Sequence, residues 1–439
     1  MTRRSLPQAA TDLLGSERAN MDACIRCGLC LESCPTYVVT RLEEEGPRGR
    51  IAIARGLLDG HLQITDDLVT HELNCLLCEA CTSVCPAGVR MEELGVAVRG
   101  ALAASGATGR RERAVTGVLR VLGDRRRLER SVRRLRWVRR LGLDRVAGAV
   151  GVLRALGLSR HSLPPVPAGF LEPDGGGWRP VGGATRGRVV LFAGCLMSTM
   201  LAPIDVATGE LLAAAGFEVE VVRDQTCCGA LSAHQGDLDA AREMAERNVA
   251  ALGNDDAPIV LNSAGCGAFL KEYGHHFGLR GTGIAARVVD LSVLLADADL
   301  DLSGQGLEGP VVFQDPCHLR SAQGIVEEPR LLLSRIPGIE LVELEEPAMC
   351  CGSAGVYNIT HRHLARQLSR RKAEDVVASG ARTVVTANPG CLLQVRAALR
   401  QAGSRAPVLH LAEVLRRACP TPVERFAPGS RRPQPAETR

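Results

Sequence analysis

The stretch Cys24-Ile25-Arg26-Cys27-Gly28-Leu29-Cys30-Leu31-Glu32-Ser33-Cys34-Pro35 decides how this chain is read. Its spacing, C-x2-C-x2-C-x3-C-P, returns at Cys75-Leu76-Leu77-Cys78-Glu79-Ala80-Cys81-Thr82-Ser83-Val84-Cys85-Pro86. A tight turn aims three thiolates at one face of a cubane, and a fourth must arrive from elsewhere to close it. In runs of this spacing the fourth cysteine serves the other run's cluster. Two copies predict two [4Fe–4S] centres and electron transfer. Pro35 and Pro86 turn the chain away after each run, because proline cannot continue a hydrogen-bonded helix. Gly28 lets the backbone approach the cluster closely. Zinc held by C-x2-C pairs is the competing reading. The doubled pattern, with Cys-Pro closing each run, weighs against it.

Outward from the runs, 40 residues separate Cys34 from Cys75. They include Gly46-Pro47-Arg48-Gly49-Arg50, then Ile51-Ala52-Ile53-Ala54-Arg55-Gly56-Leu57-Leu58, which is apolar at helical spacing. A small β-type ferredoxin would have shorter, strand-like connections, so this is the α-helical ferredoxin arrangement. The pairing rule then assigns Cys24, Cys27, Cys30 and Cys85 to one cluster, and Cys75, Cys78, Cys81 and Cys34 to the other. Residues 1–20 read as a leader helix with Thr11 as N-cap.

The chain has 439 residues and is 46% hydrophobic, enough for two or three domains of about 150 residues. Aromatics are only 3%, so Val, Leu, Ala and Ile must build the core. Among 53 basic residues only Lys271 and Lys372 are lysine, a bias that reads as genomic composition. A formal charge of +4 gives no argument for nucleic acid. Seventeen cysteines fall as four blocks of four plus Cys419. Their tight groupings suit metal rather than a disulfide scaffold, which predicts reduced thiols and a cytoplasmic chain. No signal peptide is visible at 1–20, and no apolar stretch reaches about 18 residues, so no spanning helix is expected.

Residues 101–160 are arginine-rich, with Arg125-Arg126-Arg127, Arg133-Arg134 and Arg139-Arg140 set between Leu128, Val132, Leu135 and Val138. This predicts amphipathic helices with a basic face. That face is either merely solvated or a docking surface for an acidic partner or an anionic membrane. Leu163-Pro164-Pro165-Val166-Pro167 and Pro173-Asp174-Gly175-Gly176-Gly177 mark a linker over 161–187.

The second half repeats itself. Strand Val189-Val190-Leu191-Phe192 leads to Cys195, a helix over 206–215, strand 218–222, then Cys227-Cys228-Gly229. Helix 237–251, strand Ile259-Val260-Leu261 and Cys266 follow. The second unit runs from strand Val311-Val312-Phe313 to Cys317-His318, through 341–344 to Cys350-Cys351-Gly352. Helix 361–378, strand Thr383-Val384-Val385-Thr386 and Cys391 complete it. Cys195 to Cys227 spans 32 positions and Cys317 to Cys350 spans 33; the later intervals are 38 and 40. Alternating strands and helices predict two α/β modules with short parallel sheets. Each cysteine falls just after a strand, the rim where α/β sheets place ligands.

These Cys-Cys-Gly units resemble the cysteine-rich CCG domains of heterodisulfide reductase and of several 2-hydroxy-acid oxidising complexes. A double ferredoxin run followed by two CCG units is similar to the iron–sulfur subunit of glycolate oxidase. The resemblance extends to GPRGRI at 46–51, SAGCGAFLKEYG at 263–274, CCGSAG at 350–355, HLARQL at 363–368 and VTANPGC at 385–391. It implies a subunit that takes electrons from FAD-containing dehydrogenase subunits oxidising glycolate to glyoxylate and passes them to a respiratory acceptor. No G-x-G-x-x-G opens a helix after a strand here, so flavin belongs to the partners. D-lactate, another 2-hydroxy acid or glycerol 3-phosphate is the alternative substrate, and a thiol–disulfide reductase is the alternative activity. The heterodisulfide reductase units end in C-x2-C and hold a non-cubane cluster with five cysteines. Here Ser263 and Asn388 replace the first cysteine of that pair. Cys195, Cys227, Cys228 and Cys266, and Cys317, Cys350, Cys351 and Cys391, remain as sets of four that can hold a cubane or zinc. His318 is either a further ligand, a proton carrier or a hydrogen-bonding neighbour.

The expected organisation is α/β overall. An α-helical ferredoxin domain (1–100) precedes a basic helical connector and linker (101–187). Two tandem CCG modules (188–305 and 306–419) and a disordered tail (420–439) follow. The expected location is cytoplasmic, with peripheral contact on the inner face of the membrane.

Overall fold

The computed structural model describes residues 4–149, 166–182, 185–253, 256–278 and 283–429. The expectations for 150–165, for 183–184 of the linker and for 430–439 of the tail lie outside the described residues.

The N-terminal part is built from helices, among them Gln8–Gly15, Pro35–Thr40, Pro47–Leu58, Asp66–Leu73 and Met91–Ala104. Pro47 presets the first turn of its helix, and Ile51, Ala54 and Leu57 share the buried face. That face joins Leu14, Met21, Leu68, Leu94 and Leu102 in one core. Thr11 is not an N-cap. The first helix opens directly after Pro7, whose φ of −67 already suits helix entry, and the Thr11 hydroxyl donates back to the Pro7 carbonyl.

Among the described residues the remaining fold is set by ten strands: β1 (Gly177–Pro180), β2 (Gly187–Leu191), β3 (Phe217–Glu220), β4 (Ile259–Leu261), β5 (Val288–Asp290), β6 (Gly309–Phe313), β7 (Ile339–Val342), β8 (Thr383–Thr386), β9 (Val408–His410) and β10 (Val423–Phe426). One sheet runs β10-β1-β3-β2-β4-β5 and the other β7-β6-β8-β9. The parallel cores, β3-β2-β4-β5 and β7-β6-β8-β9, have the same order. The sequence repeat is therefore a repeat of topology. In both, the first strand has its neighbours on opposite sides, so the chain switches direction there and opens a crevice at the strand ends.

Two additions were not expected. β5 and β9 close each parallel sheet, and both are three residues long. Each ends on a residue that caps the next helix: Asp290 accepts from the Ser292 amide, and His410 from the Ala412 amide. The other addition corrects the tail. Residues 423–426 form β10, antiparallel to β1, which itself lies within the Pro/Gly-rich linker. Trp178 explains the pairing. It is 2% exposed, stacked against Gly209, with Arg425 over its ring. A Cβ on Gly177 would lie 1.8 Å from the Val219 carbonyl oxygen, so glycine is required at that crossing. Cys419, outside the four blocks of cysteines, is buried in the core of this half.

The basic segment forms the helix Arg125–Arg140, capped by the Asp124 carboxylate on the Arg127 amide. Leu128 and Val132 anchor it against Val190 and Phe192 of the first CCG unit.

Candidate metal centres

The two ferredoxin runs share a backbone trace. Arg26 and Gly28 in the first, and Leu77 and Glu79 in the second, occupy the same positions, and all four have positive φ. Such turns aim successive amides at one point, a concavity suited to an anion. The Leu77 amide donates to Cys75 Sγ at 3.4 Å and the Val89 amide to Cys85 Sγ at 3.4 Å. Cys24, Cys27, Cys30 and Cys85 line one pocket, which also touches Cys81. Cys34 is not among its lining residues; with Cys75 it adds to the burial that pushes the Cys81 thiol up. Cys85 thus lines the pocket of the first run, and Cys34 lies near Cys78 and Cys81 of the second.

Sulfur spacing tests what these thiols fit. Four sulfurs on one zinc at about 2.3 Å stand about 3.8 Å apart. Among the described residues, Glu17, Glu93 and His275 bring donor atoms within 4.8 Å of one another, but no three thiols do. Four thiolates from each crossed set are the donor chemistry of a cubane.

The runs differ in their surroundings. Cys27 is exposed, beside Ile25 at 68% and Leu29 at 63% exposure. Leu76, Cys78 and Ala80 of the second run are buried in one apolar cluster with Cys350, Tyr357 and Leu368, and Cys317 packs against it. Arg50 is 2% exposed beside this run. It pairs with Glu45 at 2.7 Å and donates to Thr36 Oγ1 and the His71 carbonyl. Burial works against its charge, but Cys75, Cys34 and Glu45 outweigh burial and hold the guanidinium charged. Arg99, also buried, donates to the Cys75 and Leu73 carbonyls. Two fixed cations thus border the buried thiols, matching the negative charge that thiolates bring.

The CCG cysteines gather at the strand ends, four in each unit. Cys195 Sγ lies 3.4 Å from Cys227 Sγ, and Cys228 Sγ 3.3 Å from Cys266 Sγ. Cys227 receives hydrogen bonds from the Cys195 and Cys228 thiols, which hold it well below the ordinary thiol range. Asn248 and Tyr273 brace this loop by donating to the Cys227 and Cys228 carbonyls at 2.9 and 2.7 Å. In the second unit Cys317 Sγ lies 3.9 Å from Cys350 Sγ. Its hydrogen bond with Cys350, and then burial, push the Cys317 thiol up. The Cys351 thiol is pushed up as well, where its bond to Cys391 and burial outweigh Cys350. Metal binding here must release protons.

His318 is a hydrogen-bonding neighbour in this arrangement. Its Nε2 donates to the Leu77 carbonyl at 2.9 Å, tying the second CCG unit to the second ferredoxin run. Burial pushes it down to about 4, so it is neutral near pH 7. Asn388 stands where the longer motif has cysteine. Its Nδ2 donates to Cys391 Sγ at 3.4 Å, and its Oδ1 accepts from the Gly265 amide of the first unit at 3.2 Å. Arg50, Arg99, Asn248 and Tyr273 were not singled out from the sequence. Arg50 and Tyr273 had a signal, since they lie in the quoted GPRGRI and SAGCGAFLKEYG segments; the other two had none.

Comparison with known proteins agrees with this arrangement. Residues 20–89 match the family described as a 4Fe-4S dicluster domain, and 189–271 and 311–396 match the cysteine-rich CCG domain. The probable glycolate oxidase iron-sulfur subunit of Bacillus subtilis is 36% identical over 410 residues, covering 89% of this chain and 92% of that protein. The glycolate oxidase iron-sulfur subunit of Escherichia coli is 30% identical over 90% of this chain and 93% of its own length. A fumarate reductase (CoM/CoB) subunit of Methanothermobacter marburgensis is 29% identical over 89% of this chain and 71% of its own. This chain belongs to the family of glycolate oxidase iron–sulfur subunits.

Proposed function

We propose that this family member is the electron-transfer subunit of a glycolate oxidase complex, taking electrons from FAD-containing dehydrogenase subunits and delivering them to a respiratory acceptor. Cys24, Cys27, Cys30 and Cys85 are the ligands proposed for one [4Fe–4S] cluster, and Cys75, Cys78, Cys81 and Cys34 for the other. Bound clusters supply one-electron steps between a flavin that releases two electrons and the acceptor. The observation that carries the reading is the graded burial of the thiols. Cys27 is open to a partner, while Cys78 is enclosed beside Cys317 and Cys350. The CCG sets, with four thiols in each unit, are proposed to hold a further iron–sulfur cluster or zinc. No helix among the described residues is long and apolar enough to cross a membrane. The proposed location is the cytoplasmic side, with peripheral contact to the membrane that holds the acceptor.

The test is anaerobic addition of glycolate to the co-purified complex, read by electron paramagnetic resonance. Glycolate is expected to reduce the clusters faster than D-lactate or glycerol 3-phosphate does. A complex reduced by D-lactate and not by glycolate would move the assignment to that substrate. One reduced by none of the three would overturn it.

A further inference from the structure

The basic helix Arg125–Arg140 and the turn after it are used by none of the centres above. Residues 110–149 contain fourteen arginines and four acids, a net +10. The whole chain carries +4, so the other residues sum to −6. The molecule is therefore strongly polarised, with its positive charge gathered on one element. Six of the fourteen exposed large apolar side chains among the described residues lie on the same segment: Val118, Trp137, Val138, Leu141, Leu143 and Val146.

Helical spacing organises them. Arg130, Arg134, Trp137, Val138 and Leu141 fall at i, i+4, i+7, i+8 and i+11, on one exposed stripe. Trp137 is 63% exposed and Leu141 65%. The opposite stripe, Leu128 and Val132, is sealed against the first CCG unit. Arg125 fixes the start of the helix by donating to Ser198 Oγ at 2.6 Å and to the Leu171 carbonyl at 2.7 Å. The Arg136 guanidinium donates to the Ala168 carbonyl. By contrast, no described acid pairs with Arg126, Arg130, Arg134 or Arg140. The helix is held rigidly on one side and presents unneutralised guanidinium groups, a tryptophan and aliphatic side chains on the other.

We propose that this stripe docks the protein on an anionic membrane surface, with Trp137, Val138 and Leu141 entering the headgroup region and Arg126, Arg130 and Arg134 pairing with lipid phosphates. Guanidinium groups flanking Trp and Leu suit the interface of an acidic leaflet. A protein partner would need pockets matched to the exposed Trp137, Val138 and Leu141. A fluid bilayer accepts exposed side chains without matching their shape. The inference deepens the proposed function by naming the face that brings the chain to a membrane-held acceptor. Its test reads lipid binding, so it can fail while electron transfer stands.

The test uses the purified full-length holoprotein with vesicles of phosphatidylcholine alone or mixed with phosphatidylglycerol. The chain has two tryptophans, and Trp178 is already buried at 2% exposure, so a fluorescence change on binding reports Trp137. The expected results are sedimentation with the anionic vesicles only, weakening with salt, and a blue shift of the emission. Trp137→Phe should abolish the shift and keep most of the binding. Replacing Arg126, Arg130 and Arg134 together by Gln should reduce partition about 100-fold, since each basic residue near such a surface contributes roughly fivefold. All three are exposed, and unchanged cluster absorbance would show that the variant folds. Equal binding to both vesicle types, no binding at low salt, or wild-type partition of the triple variant would each overturn the proposal. So would salt-sensitive binding to polyglutamate without binding to anionic vesicles, which would make the surface a site for an acidic protein.

Discussion

Ile25 and Leu29 of the first cysteine run stand 68% and 63% exposed, while Leu76 and Ala80, at the matching positions of the second, are each 4% exposed. The spacing of the cysteines is the same, and so are the left-handed residues between them. What differs is the neighbour. The first run meets solvent. The second is packed between Arg50, Arg99 and the second CCG unit. A ligand motif therefore sets the local geometry of a centre, and the fold around it sets the role. One run is placed to meet a partner and the other to reach the interior. The same electronic group should have a different potential in each setting, because hydrogen bonds, charge and exposure around the sulfurs tune it.

The sharpest way to break the comparison is Cys34→Ser. Cys34 belongs to the exposed run by sequence but lies with the buried one in space. The substitution should remove the buried cluster, lowering the iron content by about four atoms per chain. Of the two ferredoxin-type signals, the one that remains should be that of the solvent-facing cluster, readily broadened by a paramagnetic relaxant in the buffer. If the relaxant-resistant signal survives instead, the crossed arrangement of ligands is wrong.

A smaller effect separates the two environments by pH. Glu72, one turn before Cys75, is 4% exposed. Burial pushes its carboxyl up to about 8, although Arg50 and Arg99 draw it down. In the unfolded chain the same group releases its proton at about 4.3. Between these values the folded protein binds more protons than the unfolded one, so stability falls as pH rises through that window and levels off above it. Glu72→Gln should remove that fall, worth a few kcal/mol across the window. Denaturation midpoints of both proteins, measured from about pH 5 to pH 8, should converge at the acid end and separate at the alkaline end. Parallel curves would mean that Glu72 is ionised in the fold.

Much of this contrast was absent from the sequence. The cysteine spacing was legible because a tight turn and its ligands are local. The doubled α/β unit was legible because its strands are continuous apolar runs, each followed by cysteine. β1 and β10 were not, since their pairing joins residues about 245 positions apart across a stretch that reads as linker and tail; the Arg179–Glu424 contact has that separation. β5 and β9 were too short to carry a period. The burial of the second run depended on how the ferredoxin helices seat on the CCG units. The His318–Leu77 and Tyr357–Asn74 bonds that fix this seating cross more than half the chain. No local pattern encodes them.

The finest distinction between the runs is at Gly28 and Glu79, the residues after the second cysteine in each. Both are left-handed, at φ 86 and 59, yet only one is glycine. A side chain in that region costs about 1–2 kcal/mol. Gly28→Ala should lose roughly that amount, and its Cβ would also lie 2.9 Å from Arg48 Nη1, a flexible group that can yield. Glu79→Gly should relieve the same strain, but glycine also loses more freedom on folding, about 0.5–1 kcal/mol, so the net gain is about 1 kcal/mol or less. Thermal midpoints of the two holoproteins should therefore move in opposite directions, the first by more than the second. If Glu79→Gly destabilises instead, the backbone is not what holds the second turn. Its side chain, half-buried in the pocket it shares with Glu92, His234 and His318, would then be the group that fixes the loop against the CCG units.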